Sequence, residues 1–213
     1  MEYTLTTNSL IHVSGTVVGN LVFDHVTHDD KIYKGYIKVD RTHSVNSDTL
    51  MFFVNENIID VAADWDGYWL DINGSLRAYR ISENSEKKAY KAIIYAHELA
   101  SEIAAAEDCN TVELKGDIVS EPKLRTTPSG KVICDFMLSV ERPHSKTDWI
   151  PCIAWGRDAK YISGELEEGT KIEVKGRLQS RQFSKVLSDG TVSHRIVYEV
   201  CVQKFKEANN DEQ

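Results

Sequence analysis

Nothing in this 213-residue chain approaches the roughly 18 consecutive apolar residues that cross a membrane as a helix. The opening Met1-Glu2-Tyr3-Thr4 is acidic and polar, with no basic-then-apolar leader. A soluble, cytoplasmic protein without a membrane partner is expected. Catalytic signatures are missing too: there is no Gly-x-x-x-x-Gly-Lys loop, no Gly-x-Ser-x-Gly elbow and no His-Glu-x-x-His. The acidic residues alternate along apolar runs instead of converging, so neither an enzyme nor a metal or other cofactor is expected. Cysteine is scarce and one-sided: Cys109, Cys134, Cys152 and Cys201 all fall in the second half, at wide, unequal spacings with no Cys-x-x-Cys pair. They read as buried reduced thiols.

What the chain does have is a duplication. Val39-Asp40-Arg41-Thr42-His43-Ser44 returns as Val140-Glu141-Arg142-Pro143-His144-Ser145, each copy just ahead of an aspartate, Asp48 or Asp148. Other landmarks keep nearly the same distance: Gly15 and Gly116 lie 101 apart, Gly67 and Gly169 lie 102 apart, and Gly74-Ser75-Leu76 precedes Gly176-Arg177-Leu178 by 102. A repeat of about 100 residues is domain-sized, which excludes solenoids and propellers.

Basic residues are deficient in only one copy. Residues 1–108 hold 9 Lys and Arg against 17 Asp and Glu, a balance of −8, whereas 109–206 hold 16 against 13, a balance of +3. Local charge decides where a polyanion can bind, so the overall −8 does not exclude nucleic acid from the second copy.

The periodicity is mostly two. In the second copy it predicts strands near 112–118, 132–140, 149–155, 171–183 and 196–205, with a short helix over 158–166 between the third and fourth. The first copy repeats the pattern with strands near 10–23, 32–41, 49–54, 68–81 and 89–99 and a helical turn around 56–62. Three strands, a short helix and two more strands make the oligonucleotide-binding (OB) barrel. The expected fold is all-β: two tandem five-stranded OB-fold barrels, each with one short helix. Residues 1–100 form an acidic first barrel, 101–108 an alanine- and glutamate-rich helical connector, 109–206 the second barrel and 207–213 a short acidic tail.

The candidate binding residues lie in the second copy. Trp149 and Trp155 are six apart on one strand and so share a face, while Phe183 ends the neighbouring strand. Aromatic rings stack on bases without regard to sequence, and Arg142, Arg157, Lys175, Arg177, Arg181 and Lys185 are interleaved with them as phosphate partners. The same even spacing also permits both indoles to face inward as core. The repeated His43 and His144 read as loop caps or as phosphate or partner contacts, and Trp65 and Trp69 as core or interface packing.

Four runs carry a resemblance. Val112-Glu113-Leu114-Lys115-Gly116 leads to Phe136-Met137-Leu138-Ser139-Val140-Glu141-Arg142, then Asp148-Trp149-Ile150-Pro151-Cys152-Ile153-Ala154-Trp155-Gly156-Arg157, then Lys171-Ile172-Glu173-Val174-Lys175-Gly176-Arg177-Leu178-Gln179-Ser180-Arg181. Over 109–206 the chain resembles bacterial single-stranded DNA-binding proteins. The resemblance implies base stacking by Trp149, Trp155 and Phe183, with Arg125, Arg157 and Arg181 at basic contact positions. It also implies four barrels working together, hence a homodimer of this two-barrel chain, coating single-stranded DNA in replication, recombination or repair. The first copy resembles the family more loosely, offering Phe52-Phe53 on the strand where the second has tryptophans. Family members carry a long tail with an acidic tip that recruits replication proteins, whereas only Glu207 to Gln213 follows the last strand here, so recruitment by that route is not expected. An adapter of the primosomal replication protein type, bridging replication or recombination proteins, is the alternative reading.

Overall fold

The computed structural model describes residues 8–42, 44–81, 89–101, 107–143, 145–186 and 191–208. His43, His144 and connector residues 102–106 lie outside the described residues. The first copy forms β1 (Ser9–Val17), β2 (Val22–Thr27), β3 (Asp30–Asp40), β4 (Ser47–Asn55), β5 (Trp69–Ile81) and β6 (Ala89–Ser101). The second forms β7 (Cys109–Ile118), β8 (Lys123–Thr126), β9 (Val132–Arg142), β10 (Lys146–Trp155), α1 (Gly156–Glu165), β11 (Lys171–Val186) and β12 (Val192–Glu207).

Each copy closes into a barrel by the same pairings. β1 pairs with β3 and β5, β5 with β6, β6 in parallel with β4, and β4 with β3. β7, β9, β10, β11 and β12 repeat this circuit. The repeated glycines mark the points of closure. A Cβ on Gly15 or Gly116 would strike the backbone carbonyl of Lys38 or Ser139, and one on Gly74 or Gly176, at the β-bulges of β5 and β11, would strike that of Tyr95 or Cys201.

Two expectations needed correction. The run 10–23 is not one strand: the chain breaks at Gly19 and returns as the β2–β3 hairpin, turned by His28 and Asp29 with φ of 47° and 69°. Both central residues of such a two-residue turn need positive φ, and His-Asp lacks the Asn-Gly signature that would have announced it. The helical turn expected at 56–62 is a series of turns, because Asn55 Oδ1 accepts the Asn57 N–H (2.8 Å) and Asp60 Oδ1 the Ala62 N–H (3.0 Å), offering the backbone an alternative to helix. Among the described residues α1 is the one helix, and it buries Ala159 and Ile162.

The barrels are joined edge to edge. β1 and β7 run antiparallel from Ser9↔Leu114 to Ser14↔Cys109, making one 12-stranded sheet. A single apolar cluster extends from Ile11 to Val202. The long β5–β6 and β11–β12 hairpins also reach across: the Ala78 N–H donates to Asp148 (2.9 Å) and the Ser180 N–H to Asp48 (2.7 Å).

Candidate nucleic-acid interface

Alternation along β10 decides which way the tryptophans point. Ile150, Cys152 and Ala154 are buried in the barrel core, so Trp149, Pro151, Ile153 and Trp155 stand on its outer face. Trp155 keeps 38% of its surface exposed. Strand register places it in the cross-strand row Arg125, Ile133, Trp155, beside the row Lys123, Asp135, Ile153, Cys201, Arg177. Ile133, Ile153 and Cys201 form a small buried cluster apart from the main core, an apolar floor on the indole's side of the sheet. Burial pushes the Cys201 thiol up, so the floor carries no charge at neutral pH. Lys131 Nζ lies 5.9 Å from the Trp155 ring centroid. Sequence reasoning missed both the floor and Lys131, although the period-two pattern counted from Trp149 already aims Ile153 outward.

Trp149 is placed differently. It is half-buried, with Tyr90 of β6 edge-to-face at 5.2 Å and 70°. The other expected ring, Phe183, lies on β11, as does Lys185, and both side chains fall outside the described residues.

The expected cations divide into two groups. Arg157 is 97% exposed, with a distant contact to Asp158 at 3.9 Å. Arg125 is bound by Asp135, whose hydrogen bonds raise the guanidinium pKa. Lys175 meets Glu113 (2.6 Å), and Arg181 meets the buried Glu199 through two bonds (3.1 and 3.2 Å). Exposed pairs such as Arg125–Asp135 are worth about 0–1 kcal/mol, so a phosphate can displace the carboxylate cheaply.

Arg142 and Arg177 belong elsewhere. Arg177 Nη1 donates to Asp48 of the first barrel (2.9 Å), which also accepts from Arg41 Nε (2.7 Å) and the Ser180 Oγ (3.3 Å). Arg142 Nε lies 2.8 Å from Asp148, and Arg77 Nη1 of the first barrel lies 3.5 Å from the same carboxylate. Burial, then the neighbouring Arg142, lowers the Arg77 pKa, with Asp148 opposing. The repeated Arg and Asp are therefore a joint used twice, each aspartate taking one arginine from its own barrel and one from the other. A cleft of about 340 Å³ opens beside the Asp48 joint, lined by Asp40, Asp108 and Asn110 among others, but its Arg41 and Arg177 are already committed to Asp48.

The first barrel has no tryptophan at the two equivalent positions, although Phe23 and Tyr79 are exposed on it. Its parallel pair Phe52↔Ile94 corresponds to Cys152↔Val200, so Thr49 and Asn55 occupy the places of Trp149 and Trp155. Phe52 and Phe53 are buried and leave no surface for a base. Trp65 packs against the core, its indole N–H donating to the Asp60 carbonyl (2.7 Å).

Two barrels with this strand circuit, one presenting an open indole among cations, define a tandem oligonucleotide-binding (OB) fold. The model of the single-strand binding protein family matches residues 109–207. A single-stranded DNA-binding protein of Clostridium tetani is 34% identical over 103 residues, which make up 46% of this chain and 68% of that protein. One from Oceanobacillus iheyensis is 35% identical over 80 residues, 35% of this chain and 50% of that protein. The chain spans about half the length of the Oceanobacillus protein and of several other curated relatives it matches. The wild-type single-stranded DNA binding protein from Thermus aquaticus superposes with a TM-score of 0.73 at 17% identity, over 96% of this chain and 95% of that one, a likeness of fold that takes in both barrels. The chain belongs to the single-strand binding protein family.

Proposed function

We propose that this protein binds single-stranded DNA, with little sequence preference, on the outer face of the second barrel. The observation that carries the reading is the half-open Trp155 ring set among Arg125, Lys131 and Arg157 on a neutral apolar floor. A base stacks on the ring and the cations take the flanking phosphates. Trp149 is a second, narrower stacking surface, and Phe183, Arg181, Lys175 and Lys185 extend the track along β11. The first barrel supports the site, because Thr49 and Asn55 stand where the second barrel has its tryptophans. Two chains pair as a cytoplasmic homodimer, bringing four barrels together on DNA exposed in replication, recombination or repair.

Titration with oligo-dT at several salt concentrations tests the reading. Tryptophan emission should fall on binding, and log K should decline linearly with log salt. Trp155→Ala should weaken binding by roughly 1–3 kcal/mol. A folded protein with no affinity for oligo-dT at low salt sinks the reading. Binding that ignores Trp155→Ala moves the site off this face.

A further inference from the structure

We propose that Cys109 is a reactive thiol, served by His12 as base and Asp71 as the group that orients it, and that it exchanges with low-molecular-weight disulfides at the seam between the barrels. The three side chains come from β7, β1 and β5. Strand register pairs Ser14 with both Asp71 and Cys109, which puts His12 on the same side of the sheet as both, one pleat away. Cys109 Sγ stands 3.5 Å from His12 Nδ1, and His12 Nε2 stands 2.8 Å from Asp71 Oδ2. A carboxylate only accepts, so Nε2 carries the ring hydrogen and the Nδ1 lone pair faces the sulfur. Nucleophile, base and orienting acid thus stand in hydrogen-bonded series.

The other three thiols are buried, with Cys134 pushed up to about 11, while Cys109 is half-exposed. Partial burial raises the Cys109 pKa as well, so the thiol rests protonated and reacts through its neighbour. In the exchange the Sγ proton passes to His12 Nδ1 and the sulfur attacks one sulfur of the incoming disulfide. The bond between Cys109 and that sulfur forms as the old S–S bond breaks, and the departing thiolate takes the proton back from the imidazolium. No further oxidant is consumed. The adduct stands on the first residue of β7, whose N–H donates to Ser14 Oγ of β1 (2.8 Å), where the barrels meet.

The reduced full-length protein is mixed with dithiobis(nitrobenzoate), release of thionitrobenzoate is timed, and the labelled peptide is mapped by mass spectrometry. One equivalent should react fast and map to Cys109, about tenfold faster than the same thiol in the urea-unfolded chain. His12→Gln should remove that advantage, and added imidazole should restore part of it, which a merely structural role for His12 would not allow. Asp71→Asn should slow the reaction less, and it serves in place of His12→Gln should that variant not fold. Native Cys109 reacting more slowly than unfolded Cys109, fast label on another cysteine, or rates unchanged in the folded variants would each overturn the proposal.

Discussion

Single side chains at the joint and on the outer face of the second barrel carry the same charges to different ends, and their burial sorts them. Asp48 is buried, and its carboxylate satisfies two guanidiniums and a backbone N–H at once. Removing one member of a buried pair strands the others, so Asp48→Ala should cost about 3–5 kcal/mol. Asp135→Ala, which frees the exposed Arg125, should cost about 0–1 kcal/mol. Urea unfolding of the two variants measures the contrast, and equal losses would contradict a load shared through Asp48. His97 adds a pH effect. Burial, with the Arg77 guanidinium behind it and Glu98 opposing, holds its imidazole below the usual range, with Ser75 Oγ 3.0 Å from Nε2. Unfolding returns it to about 6.5, so below that pH the unfolded chain binds a proton that the folded chain refuses. Its share of stability is whole above about 6.5 and is lost as pH falls through the depressed folded value. His97→Gln should flatten the acid side of the Tm-against-pH curve, and an unaltered slope would remove His97 as a cause.

Among the elements, the β5–β6 hairpin does the most that is not apparent from its own barrel. It carries Arg77 and Ala78 to Asp148 and Tyr90 to Trp149. An edge-to-face aromatic pair is worth about 0.5–1.5 kcal/mol beyond its buried area. A double-mutant cycle of Tyr90→Ala with Trp149→Ala should return a coupling of that size. Tyr90→Ala alone should shift Trp149 emission to longer wavelength, as the ring gains water, and a coupling near zero would mean the rings only adjoin. These contacts explain which parts of the chain were legible beforehand. Period-two alternation and repeated turn residues announced the barrels, and the even spacing of Trp149 and Trp155 announced their common face. The exchange of hairpins was not announced, because Arg142 and Arg177 have the same composition whether they face a phosphate or a buried carboxylate of the other barrel. Only the recurrence of Arg six or seven residues before Asp in both copies hinted at it, and a resemblance confined to one barrel naturally assigns such arginines to the ligand.

At the scale of the molecule, the two copies stand about a pseudo-two-fold axis that the strand register makes explicit. Ile11 of β1 faces Val112 of β7, its own equivalent 101 residues later, and the flanking pairs run symmetrically to either side. The first barrel thus presents to the second the same edge that a second copy of the second barrel would present. Cutting the chain between the barrels removes β1 and leaves β7 with a row of unpaired backbone groups on one side, a template for pairing. A fragment covering 109–213 should therefore dimerise through antiparallel β7–β7 pairing centred on Val112. The fragment pair would lack Arg41, Arg77 and Asp48, so Asp148 would have to take its second arginine from the partner's Arg177. The fragment dimer should accordingly be weaker than the covalent one and dissociate on dilution, which sedimentation velocity across a concentration series would detect. A fragment that stays monomeric at every concentration, yet keeps its fold and its affinity for oligo-dT, would mean that the first barrel is dispensable to the second and that the shared sheet is no more than a tether.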